Sequence, residues 1–67
     1  MSAGEIMREL RGNISLAKKA EAIGIKKSSL AMYERDERVP RDEVKVQIAN
    51  HYGRSVQDIF FNQSEHK

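Results

Sequence analysis

The chain has 67 residues and no cysteine, which limits it to one small domain without disulfide bonds or thiolate metal sites. Its apolar runs are too short to span a membrane and no secretory signal is evident, so we expect a cytoplasmic protein. The net charge is only +2, but residues 8–41 carry nine basic and five acidic residues, a net charge of +4. This uneven distribution fits either a polyanion-binding surface or a solvated helical surface of mixed charge.

Capping signals and glycines predict the first two helices. Ser2 and Glu5 have the spacing of a capping box, which predicts a helix over residues 3–11. Ser15 is a favourable N-cap for a second helix over residues 16–23. Gly24 suits the left-handed position that follows a helix end, so a tight turn is expected there.

Three further helices follow the turn at Gly24. The third is predicted over residues 27–35 and ends before Pro40, which cannot donate a backbone hydrogen bond. The fourth, over residues 42–52, starts with two acidic residues that complement its dipole, and the fifth covers residues 56–61. The sequence therefore predicts an all-α protein: a compact five-helix bundle formed by residues 1–61, with a disordered polar tail at 62–67.

The second and third helices, with the turn at Gly24, form the pattern of a helix-turn-helix. Such a motif braces one helix on the DNA backbone and directs the first residues of the next into the major groove. Lys26 and Lys27 suit guanine or phosphate oxygens, unless they lie in an exposed turn without a partner. Ser28 and Ser29 suit base or phosphate contacts, or they cap the third helix.

Further basic residues follow the third helix. Arg38 and Arg41 are placed to hold phosphates, or they pair with Asp36 and Glu37 at the surface. On the third helix itself, Met32 either contacts a thymine methyl group or is a surface residue.

Patterns typical of metal sites and enzymes are absent from the sequence. The two histidines have no metal ligand at a suitable spacing, and no catalytic or phosphate-loop motif is present. We therefore expect no enzyme activity, no metal, no cofactor and no small-molecule ligand.

Two adjacent aromatic residues end the predicted fifth helix. Phe60 is expected to close the core, whereas Phe61 has no evident inward position. Because small DNA-binding domains commonly act as symmetric dimers, we predict a homodimer patch formed by Tyr52, Val56 and Phe61. The alternative is a partly exposed aromatic side chain on a monomer.

The joint spacing of several short motifs resembles the Xre-type helix-turn-helix regulators, the family of lambdoid phage repressors and Cro proteins. The similarity runs from about Ile6 to Phe61 and includes Gly24-Ile25, Ser28-Ser29-Leu30 and Ser55-Val56-x-Asp58-Ile59-Phe60. It implies a transcriptional regulator, a repressor of Cro-like size, that binds a double-stranded DNA operator. The DNA-binding positions implied by the match and by the residue types together are Ser15, Leu16, Lys26, Lys27, Ser28, Ser29, Met32, Arg35, Arg38 and Arg41.

The resemblance also implies a structural ion pair. Arg11 and Glu34 match two positions that in this family often form an internal pair between the first helix and the third. We predict that the pair is buried, with a weak surface pair as the alternative.

The chain departs from the usual family pattern at three places. Leu16 replaces a glutamine, Lys19 replaces an apolar core residue, and Arg35-Asp36-Glu37 replaces Asn-Gly-Lys. Lys19 is expected to lay its stem along the core and keep its ammonium group in water. These departures favour the alternative function, a protein-interaction module such as an antitoxin or anti-repressor with the same fold.

Overall fold

The computed structural model describes residues 1–61, and the tail predicted at 62–67 lies outside them. Its helices are α1 (Ala3–Arg11), α2 (Leu16–Ile23), α3 (Lys27–Glu34) and α4 (Asp42–Tyr52), followed by a π-helical turn over Gln57–Phe61. The described part contains no β-strand, so the all-α prediction is confirmed. None of its helices is long and apolar enough to cross a membrane.

The predicted caps account for the first two helix starts. Ser2 and Glu5 form the capping box, in which each side chain accepts a hydrogen bond from the other residue's backbone N–H. The Ser15 hydroxyl accepts a hydrogen bond from the backbone N–H of Lys18 at 3.1 Å. Gly24 adopts a left-handed conformation with φ 96°, which explains the sharp turn between α2 and α3.

One predicted helix end and one predicted helix start are each wrong by one residue. Helix α3 stops at Glu34 rather than Arg35, because Asp36 has a positive φ of 59° and turns the chain out of the helix. The last element is a wider π-helical turn that starts at Gln57, although Ser55 accepts a hydrogen bond from the Asp58 backbone as a cap would. This turn buries both Ile59 and Phe60, which are adjacent in sequence.

The core lies where the helices meet. Helix α3 packs against α1 and α2, α2 also packs against α4, and α1 contacts the π-helical turn. Each element supplies at least one buried apolar side chain, and the buried set is Met7, Ala20, Ile23, Leu30, Tyr33, Ile48, Ala49, Ile59 and Phe60. This packing leaves the start of α3 at the surface, with Lys26, Lys27 and Ser28 exposed.

Candidate nucleic-acid interface

The first residues of α3 have no partner within the protein. We call Lys26, Lys27, Ser28 and Ser29 the basic tip. Lys26 occupies the N-cap position of α3 without a side-chain capping bond. Within residues 1–61, neither serine hydroxyl forms a hydrogen bond and neither lysine has a carboxylate within 4.0 Å. The tip therefore presents two ammonium groups, two hydroxyls and the free N–H groups of a helix start to solvent.

The tip lies beside the loop between α3 and α4. Lys26 and Ser29 line an open groove of about 580 Å³ together with Arg38, Val39 and Arg41. Both arginines are exposed, and in the described part of the chain neither forms an ion pair. The fold thus brings three cations from two separate segments around one groove.

The two acidic residues near this loop face other partners. Both carboxylate oxygens of Asp36 accept hydrogen bonds at the start of α1, from the Ser2 hydroxyl at 2.7 Å and from the Gly4 backbone at 3.0 Å. Glu37 accepts a hydrogen bond from Arg35 at 3.1 Å. The alternative in which these acids pair with Arg38 and Arg41 is therefore wrong, because α1 and Arg35 supply nearer donors.

The remaining predicted DNA contacts are more dispersed. Arg35 is exposed but paired with Glu37, and Met32 is half-buried on α3. Ser15 caps α2, and Leu16 packs partly against the core. None of these four side chains lines the groove beside the basic tip.

An ion pair attaches the other end of α3 to α1. The Arg11 guanidinium donates three hydrogen bonds to the Glu34 carboxylate, from Nε to Oε2 at 2.9 Å and to Oε1 at 3.2 Å, and from Nη2 to Oε1 at 3.0 Å. The Glu34 side chain is 4% exposed and that of Arg11 is 22% exposed. The hydrogen bond to Glu34 raises the pKa of Arg11. Arg8, which the sequence did not single out, donates to the backbone carbonyl of Glu34.

Lys19 does not keep its ammonium group in water, contrary to the sequence-based expectation. The residue is only 8% exposed. Its Nζ lies 3.0 Å from Nε2 of His51 and 5.1 Å from the centre of the Tyr52 ring. An imidazole nitrogen and an aromatic face from α4 thus lie beside the cation. Burial, together with the nearby Lys19 charge, lowers the pKa of His51.

Tyr52 combines a ring contact with an unpaired hydroxyl. Its buried hydroxyl has no hydrogen-bond partner in the described part of the chain. Burial, with a smaller contribution from the Glu34 charge, raises its pKa to about 12. The hydroxyl therefore stays protonated at neutral pH.

The three residues of the predicted dimer patch differ in burial. Tyr52 and Val56 pack partly against the core, and Tyr52 also lies below Lys19. Phe61 is 46% exposed, and Lys45 Nζ lies 4.8 Å from the centre of its ring. Homodimer formation stays a prediction.

Besides Arg8, sequence reasoning missed the roles of three residues that hold the motif in place. Gln47 of α4 donates to the carbonyl of Ile23 at 3.1 Å and so supports the turn after α2. Gly4 allows α1 to approach α3 closely, and Asp36 caps α1 from 32 positions further along the chain. No local pattern marks Gln47 or Asp36, because both contacts join residues more than twenty positions apart.

Comparison with known families agrees with this geometry. A family model described as helix-turn-helix matches residues 5–59, which include most of α1, all of α2, α3 and α4, and part of the π-helical turn. No curated protein and no solved structure gives a significant match. The chain belongs to the Xre and lambda repressor-like helix-turn-helix family of DNA-binding regulators.

Proposed function

We propose that the protein is a sequence-specific repressor, Cro-like in its action, that reads the major groove of operator DNA with the basic tip of α3. The observation that carries this proposal is the absence of partners for the tip's side chains within residues 1–61. Exposed lysines lose little free energy when they leave water for phosphates or guanine edges, because these groups offer charged or polar acceptors. The short serine side chains allow the helix to approach the bases closely.

The arginines of the α3–α4 loop supply the sequence-independent part of binding. Arg38 and Arg41 line the same groove as Lys26, so a DNA backbone that passes the tip also passes both guanidinium groups. Arginine binds phosphate through several N–H donors in a fixed geometry. These contacts orient the domain, whereas the tip distinguishes base pairs.

The features that favoured a protein-interaction module have structural explanations. Lys19 is buried against His51 and Tyr52, Asp36 caps α1, and Glu37 pairs with Arg35. None of these groups presents an unpaired charge to a partner protein. We therefore do not carry the antitoxin or anti-repressor alternative further.

We further infer that two copies bind a two-fold symmetric operator, since a single small domain contacts few base pairs. The exposed Phe61 ring supports this inference. Sedimentation of protein with a selected duplex is expected to show two copies per operator, and Phe61→Ser is expected to reduce the cooperativity of their binding. One copy per selected site would contradict it.

The decisive experiment is selection of bound sites from a random duplex pool, followed by binding measurements on the selected and a scrambled site. Lys27→Ala is expected to reduce discrimination between the two sites about tenfold. Arg38→Ala is expected to weaken both sites alike and to reduce the slope of log K against log salt by about 1. Arg54→Ala is the matched control, because Arg54 lies beside Leu10 and Asp58, away from the groove.

Two results would contradict the proposal. The first is a pool with no enriched sequence. The second is the same loss of affinity on both sites from Lys27→Ala and Arg38→Ala, which would remove the division between base reading and phosphate binding.

A further inference from the structure

A second concave site lies on the other side of the α3–α4 loop, and we call it the loop cleft. It encloses about 190 Å³ between the start of α1, the loop and the π-helical turn. Its walls are mainly apolar and include Met7, Val39, Pro40, Phe60 and Phe61. It also contains one mostly covered cationic side chain, that of Lys45 on α4.

Within residues 1–61, the ammonium group of Lys45 has one anionic partner, an exposed carboxylate with which it forms a long ion pair. Its side chain is only 13% exposed, and its Nζ lies 4.8 Å and 5.8 Å from the ring centres of Phe61 and Phe60. In the described residues, the one carboxylate within reach is that of Asp42, at 3.9 Å on a fully exposed side chain. An ammonium group has three N–H donors, and a mostly desolvated one gains from a nearby carboxylate.

The other charged groups at the cleft leave it positive. Asp36 lines the cleft, but its oxygens already accept hydrogen bonds from Ser2 and Gly4. Arg38 adds a second positive charge at the rim, without an ion pair in residues 1–61. An anion that enters the cleft therefore meets two cations, Lys45 and Arg38, and one lining carboxylate, that of Asp36, whose oxygens bond to the start of α1.

We propose that the loop cleft binds a small monocarboxylate with one ring or a branched aliphatic group. The apolar part would lie between Val39, Phe60 and Phe61, and the carboxylate would accept hydrogen bonds from Lys45. The volume fits this class, because an apolar cavity of roughly 150 Å³ is enough to hold a benzene molecule. A larger ligand or a peptide segment exceeds the enclosed space.

Occupation of the cleft is expected to influence the DNA-binding groove. Tyr33, Arg38 and Val39 line both the loop cleft and the groove beside the basic tip. A ligand that fixes the loop from one side changes the position of Arg38 on the other, and such coupling is reciprocal between ligand and DNA. Ligand binding at the loop cleft does not depend on the proposed function, and the experiment that tests it uses no DNA.

The test is a titration of the whole protein with benzoate, followed by backbone and methyl NMR shifts. Benzoate at millimolar concentration is expected to shift the signals of Val39, Lys45 and Phe61, and to bind at least about tenfold more tightly than benzamide, its uncharged analogue. Lys45→Met keeps the length of the side chain and is expected to remove this preference for the charged ligand. Lys18→Met, which removes an exposed lysine from α2, is the control and is expected to leave binding unchanged.

A further variant keeps the test valid if Lys45→Met does not fold. Val39→Ser alters an exposed loop residue and is expected to weaken benzoate binding without changing the melting temperature of the free protein. Equal affinity for benzoate and benzamide, no shift with either, or unchanged binding in both cleft variants would overturn the proposal. So would a concentration-dependent dimer in solution that Lys45→Met abolishes, because it would identify a second copy as the occupant.

Discussion

The two ends of α3 differ in how their polar groups are satisfied. At the C-terminal end, Glu34 accepts hydrogen bonds from Arg11, and Asp36 beyond it caps α1. At the N-terminal end, the lysines and serines of the basic tip have no partner within the described residues. One end is thus bonded to other parts of the protein, while the other presents its polar groups to solvent. The proposed reading of DNA by α3 needs both properties, because a mobile helix cannot place its side chains accurately against base edges.

The largest loss of stability is expected from removing the buried carboxylate of Glu34 at the C-terminal end of α3. Glu34→Ala leaves the partly buried Arg11 without its partner and is expected to lower the free energy of unfolding by about 2–3 kcal/mol. Glu37→Ala removes an exposed carboxylate from a surface pair and is the matched control, with an expected loss below about 0.5 kcal/mol. Urea denaturation measures both. Equal stability of the two variants would show that the Arg11–Glu34 pair contributes no more to stability than the exposed Arg35–Glu37 pair.

A smaller loss is expected where α1 approaches α3. Helix propensity alone predicts that Gly4→Ala stabilises the protein by about 1 kcal/mol. The structure predicts the opposite, because the added Cβ would clash with the Glu34 carbonyl oxygen and lie 2.8 Å from Oδ2 of Asp36. We expect Gly4→Ala to lower the free energy of unfolding by about 1–2 kcal/mol. A thermal melt decides the sign, and a more stable variant would contradict the close approach.

Two serine substitutions compare a capping hydroxyl with an unpartnered one. Ser15→Ala removes the hydrogen bond to the Lys18 backbone and is expected to cost about 1 kcal/mol of stability. Ser28→Ala removes a hydroxyl without a partner in residues 1–61 and is expected to leave the free protein's stability unchanged while weakening DNA binding. Denaturation of the free proteins tests the pair. A comparable loss from Ser28→Ala would show that this serine supports the fold.

The smallest change in stability is expected at the contact between α2 and α4. His51 has a lowered pKa, so the unfolded chain binds a proton more readily than the folded one as the pH falls below about 6.5. The contribution of neutral His51 to the free energy of unfolding is therefore fully present above that pH. It is lost as the pH falls toward the lowered pKa of the folded state, where a protonated ring would face Lys19. His51→Gln is expected to flatten this part of the stability profile. An unchanged profile in His51→Gln would assign the acid sensitivity to other groups.

Local sequence signals predicted most of the helical architecture. Ser2, Ser15 and Gly24 act through backbone groups within a few residues of themselves, so their effects are visible without the fold. The Arg11–Glu34 contact was inferred from family resemblance rather than from local chemistry. The end of α3 was misjudged by one residue, because Asp36 adopts a left-handed conformation while its side chain bonds to α1.

The contacts that could not be predicted all join distant segments. Lys19 is buried because α4 brings an imidazole nitrogen and an aromatic ring to its ammonium group. Asp36 bonds to the start of α1, because the Ser2 hydroxyl and the Gly4 backbone N–H donate hydrogen bonds to its carboxylate. In both cases the polar partner comes from a distant segment of the chain.

Local residue preferences were enough to predict the four α-helices, the turn at Gly24 and the basic start of α3, because these depend on backbone groups and charges that lie next to one another. Which charges stay available depends on how the helices pack. Packing of α1 and α4 around α3 engages Glu34, Asp36 and Lys19, and leaves the basic tip, Arg38 and Arg41 facing solvent. A charged group is satisfied by whatever lies within hydrogen-bond distance, and those distances come from the fold.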